Sequence, residues 1–168
     1  MNEVIELKTE DDLVLYRKTG QIAGEILTRL IPEVKEGVST YHLAKLAEKW
    51  IIEDYDAVPS SIGQYDFQFA LCSSVNNVVC HGVPSATDIL KDGDIVNLDI
   101  TLEKNGYIAD SSKTYLVGNV SLPARRLVQT AYDAMWKGIK TVRPGARLGD
   151  IGHAIERHAK KSGYSVVH

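Results

Sequence analysis

The stretch that decides the fold reads GDIVNLDITLEKNGYIADSSKTYL and covers residues 93–116. Two runs rich in β-branched residues flank the dipeptide Asn105-Gly106. Asn and Gly tolerate the positive φ angles of a type I′ turn, and such a dipeptide between two β-prone runs is a strong short-range signal for a hairpin. The stretch therefore predicts a β-hairpin that turns at Asn105 and Gly106.

The predicted turn fixes how the two strands pair. With Lys104 opposite Tyr107, counting back along both strands places Thr101 opposite Asp110. Side chains alternate between the two faces of a strand, so Asp99 shares a face with Asp110. Diagonal cross-strand neighbours have Cβ atoms roughly 7 Å apart, which lets both carboxylates reach one pair of cations. The opposite face of the first strand carries four apolar side chains, Val96, Leu98, Ile100 and Leu102.

Two carboxylates on one face of a sheet allow two interpretations. Like charges inside a sheet are costly unless a positive charge lies between them, which favours a dinuclear metal site. Alternatively, Asp99 lies on a solvated face and Asp110 only opens a loop. A bulge at the turn would shift the register by one residue and separate the two carboxylates.

Length and composition are typical of an ordinary globular domain. The 168 residues are 44% hydrophobic and carry a formal charge of −3, which is enough chain to bury a core without disulfides. Lys and Arg are dispersed and matched by acids, so no nucleic-acid motif is expected. No apolar run reaches membrane-spanning length and the N-terminus lacks a signal-peptide pattern, so we expect a cytoplasmic protein. Cys72 and Cys80 have no zinc-finger spacing and are interpreted as reduced thiols that fill the core.

Caps and apolar periodicity predict four helices, arranged as two pairs. Each first turn follows a residue or dipeptide that favours a helix start: Thr9, Ser39-Thr40, Ser121 and Pro144-Gly145. The first helical pattern ends at Pro32, and Ser162-Gly163 closes the fourth.

Two short β-branched runs predict strands outside the hairpin. Val78 and Val79 suit a strand that is broken at Gly82, which would place His81 at a strand end, where catalytic residues often lie. Alternatively, His81 is an ordinary surface or core histidine. Residues 164–168, YSVVH, begin another strand.

The two helix pairs resemble each other in sequence. A shift of 108 residues lays Gly37 on Gly145, Lys35 on Arg143 and several apolar residues on apolar ones. This predicts an internal duplication, with residues 1–117 as the first repeat and residues 121–168 as the start of the second. On this count the second repeat lacks its sheet. Alternatively, any two amphipathic helix pairs align in this way.

Several motifs closely resemble the bacterial type I methionine aminopeptidases. They are SVNNVVCHGVP at 74–84, LKDGDIVNLD at 90–99 and DSSKT at 110–114, with shorter matches at 5–11, 23–27 and 38–40. The resemblance covers essentially the whole chain. It implies an α+β pita-bread fold, in which two pseudo-symmetric halves enclose a dinuclear metal site. The first half would be complete, and the second would have its helix pair but no sheet.

The same resemblance implies an activity and roles for individual residues. The activity is removal of the N-terminal initiator methionine from nascent proteins by a hydroxide that two divalent metal ions activate. Asp99 and Asp110 match the aspartates that hold the metals, and the ion could be Mn, Fe, Co or Zn. His81 matches the catalytic histidine that contacts substrate near the scissile amide. Phe67 and Cys72 match positions that line the pocket for the methionine side chain.

Departures from the family pattern limit what the chain alone is expected to do. The other three metal ligands of the family, one histidine and two glutamates, would lie beyond Val167. Ile108 stands where a histidine is usual, and the pocket segment at 63–68 lacks the usual tyrosine and proline. We therefore expect little or no peptidase activity from these 168 residues alone.

The partners follow from the two functions under consideration. The enzyme would act on peptides with an N-terminal methionine. The alternative is a truncated, non-catalytic relative that acts as a protein-binding module, for example on the ribosome, or that self-associates through an unpaired sheet edge.

Overall fold

The computed structural model describes residues 7–167, so residues 1–6 and His168 lie outside it. The described chain forms, in order, helix α1 (Glu10–Arg29), helix α2 (Thr40–Lys49), a π-helical turn (Trp50–Asp54), strands β1 (Val58–Pro59), β2 (Leu71–Val75), β3 (Ile95–Lys104) and β4 (Tyr107–Leu116), and helices α3 (Leu122–Ile139) and α4 (Leu148–Lys161). A short 3₁₀ turn, Gln64–Asp66, precedes β2. The chain divides into two compact units, Met1–Asn119 and Val120–His168. The described part of the first unit holds α1, α2 and the sheet, whereas that of the second holds α3 and α4.

Strand β3 is the centre of an antiparallel sheet. It pairs with β4 along one edge, and with β2 and β1 one after the other along the opposite edge. The predicted register is confirmed, because Lys104 lies opposite Tyr107 and Thr101 lies opposite Asp110 with no bulge between them. Asn105 and Gly106 have φ angles of 55° and 82°, as a type I′ turn requires.

The apolar face of β3 forms the core of the first unit together with α1 and α2. Its four side chains, Val96, Leu98, Ile100 and Leu102, are fully buried. Each buried aliphatic side chain of this size stabilises the fold by roughly 1.5–3 kcal/mol. The Tyr115 hydroxyl also donates a 2.5 Å hydrogen bond to the Leu27 carbonyl of α1, which ties β4 to the helix layer. Because the apolar face of β3 is turned to this core, its polar residues, such as Asp99 and Thr101, lie on the opposite face.

Helix α1 begins with a capping box whose carboxylate is also tied to the hairpin. The Thr9 hydroxyl accepts from the Asp12 backbone N–H, and the Asp12 carboxylate accepts from the Thr9 backbone N–H. The Tyr107 hydroxyl donates to the same carboxylate at 2.5 Å. These hydrogen bonds, that of Tyr107 first, lower the pKa of Asp12 from 3.8 to about 2.

Tyr107→Phe is expected to cost stability at neutral pH and progressively less as the pH falls from 4 to 2. Asp12 has a lower pKa in the folded than in the unfolded chain, so its contribution is fully present above pH 3.8 and is lost as the pH falls through about 2. The variant keeps the ring that packs edge-on against Tyr16 at 4.9 Å. Urea unfolding of both proteins at several pH values measures the difference. A difference that stays constant down to pH 2 would show that the Tyr107 hydroxyl does not act through Asp12.

The hydroxyl of Ser73 is a buried polar group with no hydrogen-bond partner among the described residues. Ser73 lies on β2 opposite Leu98 and is 3% exposed. A buried hydroxyl without a partner keeps its desolvation cost. Ser73→Ala is therefore expected to raise the free energy of unfolding by about 1 kcal/mol, measured by urea denaturation. A loss of stability instead would mean that the hydroxyl does have a partner in solution.

The second unit is a helical hairpin. The Ser121 side chain caps α3, and α3 packs on α4 where Gly138 approaches Ile155. A Cβ on Gly138 would lie 2.9 Å from the Ile155 side chain, so a larger residue there would force that side chain to shift. Under the 108-residue shift, α2 and α4 begin at equivalent positions, and Gly37 and Gly145 have φ angles of 84° and 86°. The duplication stays a prediction that this correspondence favours.

Two predicted strands are wrong. Val78 and Val79 lie in an irregular segment after a turn at Asn76, and Val79 is 71% exposed. Residues 164–167 are also irregular, and the Tyr164 N–H instead closes α4 by donating to the Ala159 carbonyl. In both segments, β-branched residues have no neighbouring strand to pair with in the described structure, so their β-propensity is not realised. No described helix has the length and apolar character needed to cross a membrane.

Candidate active site

One cavity on the polar side of the sheet brings together all five residues singled out from the sequence. Its volume is about 310 Å³, and its lining comes from β2, β3, β4 and two loops of the first unit. The lining residues are Ser61, Gln64, Tyr65, Phe67, Cys72, His81, Asp99, Thr101 and Asp110. The roles given to the five residues stay predictions, whereas their meeting in one cavity is a feature of the fold.

Asp99 and Asp110 form a pair of like charges in the lining of this cavity. Burial, and then the neighbouring charge of Asp110, raise the pKa of Asp99 above its usual value, and His81 partly offsets the rise. No basic side chain of the described chain forms an ion pair with either carboxylate. Two converging carboxylates that form no ion pair with a described basic side chain are a donor set that fits a hard divalent cation.

The donor set is incomplete within residues 7–167. No group of three or more His, Cys, Asp and Glu side chains in that range could hold a metal ion. Asp99 and Asp110 could therefore supply two carboxylates to a metal centre, and further ligands would have to come from elsewhere.

His81 reaches the cavity from a strained loop and not from a strand end, so that part of the prediction is wrong. Its backbone φ is 55°, a left-handed conformation that non-glycine residues rarely adopt. The next residue is fastened to β2, because the Ser73 N–H donates to the Gly82 carbonyl at 2.8 Å and the Gly82 N–H donates to the Ser74 hydroxyl at 3.2 Å. These bonds hold His81 at the cavity although no strand leads directly into it.

The two cysteines differ in their surroundings. Cys72 is half-buried and lies opposite Asp99 across the β2–β3 pairing. Burial, and then the charges of Asp99 and Asp110, raise the pKa of Cys72 to about 11, so it is a neutral thiol at physiological pH. Cys80 is exposed, so the expectation that it fills the core is wrong.

Tyr65 and Phe67 give the cavity an aromatic part of its lining, and the backbone there is strained. Phe67 lies edge-on to Phe69 at 5.8 Å, and Phe69 lies edge-on to Tyr41 at 6.0 Å. Just before Phe67, Tyr65 and Asp66 both have positive φ angles, of 49° and 64°. Consecutive non-glycine residues in this region are uncommon and are found where the surrounding structure holds them at a site.

Four lining residues were not singled out as site residues from the sequence, Ser61, Gln64, Tyr65 and Thr101, although Gln64 and Tyr65 fall within the pocket segment at 63–68. Thr101 could have been found, because it lies two residues after Asp99 and so shares its face of β3. The other three lie on an irregular loop, and no periodicity predicts which side chains of such a loop face a cavity.

Comparison with known proteins places these features in a family context. Residues 14–168 match the metallopeptidase family M24. The methionine aminopeptidase of Rickettsia prowazekii is 44% identical over 163 residues, which are 97% of this chain and 62% of that protein. Methionine aminopeptidase B of Synechocystis is 47% identical over 161 residues, which are 93% of this chain and 58% of that protein.

Solved structures agree with these sequence matches. The crystal structure of the Rickettsia prowazekii methionine aminopeptidase superposes with a TM-score of 0.94 at 44% identity, over 98% of this chain and 65% of that one. An Xaa-Pro dipeptidase from Bacillus anthracis, 19% identical, shares the fold with a TM-score of 0.80 over 94% of this chain and 42% of that one. The α+β pita-bread fold implied by the resemblance is confirmed, and the chain spans about 60% of the length of the curated relatives it matches.

Proposed function

Since this chain belongs to the metallopeptidase family M24, we propose that it forms the carboxylate side of a methionine aminopeptidase active site. The observation that carries the proposal is the meeting of Asp99 and Asp110 in one cavity with His81, and with no basic side chain of the described residues paired to either carboxylate. The reaction is the removal of an N-terminal methionine from nascent proteins. Two divalent metal ions would complete the site.

Each residue has a distinct part in this proposal. Asp99 and Asp110 would hold the metals, and the oxygen-rich ligation would accept Mn, Fe, Co or Zn. Once bound, the metals would supply Lewis-acid polarisation of the scissile carbonyl and lower the pKa of water at the site. His81 hydrogen-bonds the substrate beside the scissile amide, where charge develops in the transition state. Phe67 and the neutral thiol of Cys72 provide an apolar wall for the methionine side chain.

We expect the 168-residue chain alone to hydrolyse a Met-Ala-Ser peptide at less than about one hundredth of the rate of an intact methionine aminopeptidase. Loss of a single outer-shell partner of a metal site typically costs about 10- to 100-fold, and the described residues lack a full set of metal ligands. The measurement is methionine release with Mn²⁺ or Co²⁺ present, and the Rickettsia prowazekii enzyme serves as the positive control. A rate comparable to that of the intact enzyme would show that these residues suffice for catalysis. The inference that further metal ligands are needed would then be wrong.

A second candidate function is a binding module that self-associates, and two features favour it. Of the described strands, only β3 pairs with β4, so the other edge of β4 is open. In the second unit, a groove of about 470 Å³ between α3 and α4 is lined largely by apolar side chains, among them Leu127, Met135 and Ile155. The occupant we consider is a second copy that pairs β4 with β4.

Sedimentation tests this alternative. In a two-residue hairpin the pair that flanks the turn is hydrogen-bonded, so even-numbered residues of β4 direct their N–H groups away from β3. Ser112→Pro removes one outward N–H and spares the pairing with β3. A dimer that Ser112→Pro dissociates would favour the binding module, whereas a monomer at all concentrations would rule out this self-association.

A further inference from the structure

The two units carry opposite net charges. Residues 120–168 hold 9 Lys and Arg against 3 Asp and Glu, a formal charge of +6, whereas residues 1–119 have a formal charge of −9. The chain-wide value of −3 averages over this difference, and the expectation of dispersed, matched charges does not hold for either unit. A positive helical hairpin of this kind attracts polyanions.

The positive charges of the second unit are available to a partner. All nine of its Lys and Arg side chains are exposed, and within the described residues only Lys160 forms an ion pair, with Glu156. The other two of its three acids are also engaged locally. Asp150 accepts from the Arg147 backbone N–H at 2.9 Å, and Asp133 accepts from the Gln129 amide at 2.9 Å.

One face of α3 interleaves cations with exposed aromatic rings. We define the α3 stripe as Arg125, Gln129, Tyr132, Trp136 and Lys140, which follow one another at intervals of three or four residues. This spacing places them on one face of a helix, and all five are exposed. Tyr132 and Trp136 are 54% and 43% exposed, and their ring centroids are 6.3 Å apart at 74°. Exposed paired aromatics between cations are unusual on a surface that faces only water.

The stripe runs into a pocket at the turn between α3 and α4. This pocket has a volume of about 410 Å³ and is lined by Lys140, Thr141, Arg143, residues 144–146 and Asp150. Lys140 therefore belongs to both features, and Arg143 adds a second cation. The Asp150 carboxylate also lines the pocket, but it is already bonded to the first turn of α4.

We propose that the α3 stripe and the turn pocket bind a single-stranded polynucleotide. Unpaired bases stack on Trp136 and Tyr132, and phosphates contact Arg125, Lys140 and Arg143. The exposed rings favour a single strand over a duplex, whose bases have no free face to offer. They also favour a nucleic acid over an acidic protein, which would use the charges and leave the rings without a partner. The binding is independent of Asp99 and Asp110.

Fluorescence anisotropy with labelled 20-nucleotide oligouridine and oligothymidine tests the proposal on the full 168-residue chain. Trp136→Ala is expected to weaken binding roughly 5- to 150-fold, the effect of losing one stacked base, whereas Trp136→Phe retains most of the affinity. Lys140→Gln with Arg143→Gln is expected to reduce the slope of log affinity against log salt by about 1.4. The matched control, Arg17→Gln with Lys18→Gln, removes two exposed charges from α1 and leaves binding unchanged.

Other results would overturn the proposal. Absence of binding at low salt, or an affinity that Trp136→Ala does not change, would mean that the aromatic stripe is not a stacking surface. Equal affinity for duplex DNA or for poly-glutamate would mean that the surface recognises charge alone. Circular dichroism of each variant establishes that the helices are intact, and oligouridine against oligothymidine distinguishes an RNA from a DNA ligand.

Discussion

Asp99→Asn is expected to raise the melting temperature of the metal-free protein and to abolish its stabilisation by Mn²⁺. Asp99 is partly buried beside Asp110, and both burial and that neighbouring charge raise its pKa. Removing one of two like charges should stabilise the metal-free fold by about 1 kcal/mol after solvent screening, which is roughly 2–4 °C for a chain of this size.

The same substitution removes half of the carboxylate pair that would hold a cation. Two carboxylates without further ligands should bind Mn²⁺ with a dissociation constant on the order of 10⁻³ M. At a tenfold excess over that value, binding would stabilise the wild-type chain by about 1.4 kcal/mol. Thermal unfolding with and without Mn²⁺ measures both effects.

Two further variants sharpen this comparison. Asp110→Asn should behave like Asp99→Asn, because both residues line the same cavity. Glu36→Gln removes an exposed carboxylate at a position distant in sequence from the hairpin and should change neither quantity. If Asp99→Asn responded to Mn²⁺ as the wild type does, the ion would bind elsewhere and the proposed role of Asp99 would be wrong.

Gly82→Ala is expected to destabilise the first unit by about 3 kcal/mol and to displace His81 from the cavity. A Cβ at residue 82 would lie 2.0 Å from the carbonyl oxygen of Ser73 and 2.7 Å from its carbonyl carbon. Both atoms belong to the backbone of β2, which cannot move aside without losing its pairing with β3, so the loop must separate from the strand. Urea unfolding measures the loss of stability, and NMR shifts of the His81 ring report its displacement.

Gly20→Ala is the matched control for this substitution. A Cβ at residue 20 meets nothing within 4 Å, and Gly20 lies in the interior of α1. Alanine should therefore stabilise the protein there by about 0.5–1 kcal/mol. A Gly82→Ala variant as stable as the wild type would contradict the close approach between this loop and β2.

Local signals in the sequence were sufficient to predict the hairpin register and three of the helix caps. The Asn105-Gly106 dipeptide set the register of ten residue pairs, and the alternation along β3 placed Asp99 and Asp110 on one face. The helix caps at Thr9, Ser39 and Ser121 were also predicted correctly. In each case the deciding residues lie within a few positions of the feature that they determine.

Features that depend on distant partners were not predictable in this way. Val78 and Val79 have strong β-propensity, but the segment that pairs with residues 96–100 of β3 is Leu71–Val75, just before them in the chain. The loop that carries Tyr65 reaches the cavity through backbone bonds such as that from the Gly63 N–H to the Phe67 carbonyl, at 2.8 Å. The charge difference between the units, by contrast, follows from the sequence, because the predicted repeats 1–117 and 121–168 carry the same −9 and +6 as the two units.

Anomalous diffraction from a crystal of the 168-residue chain soaked in Mn²⁺ tests the metal-holding role of the hairpin most directly. The proposed function predicts a manganese peak within coordination distance of carboxylate oxygens from both Asp99 and Asp110. A peak that contacts only one of them, or none at this cavity while Mn²⁺ binds elsewhere on the chain, would contradict it.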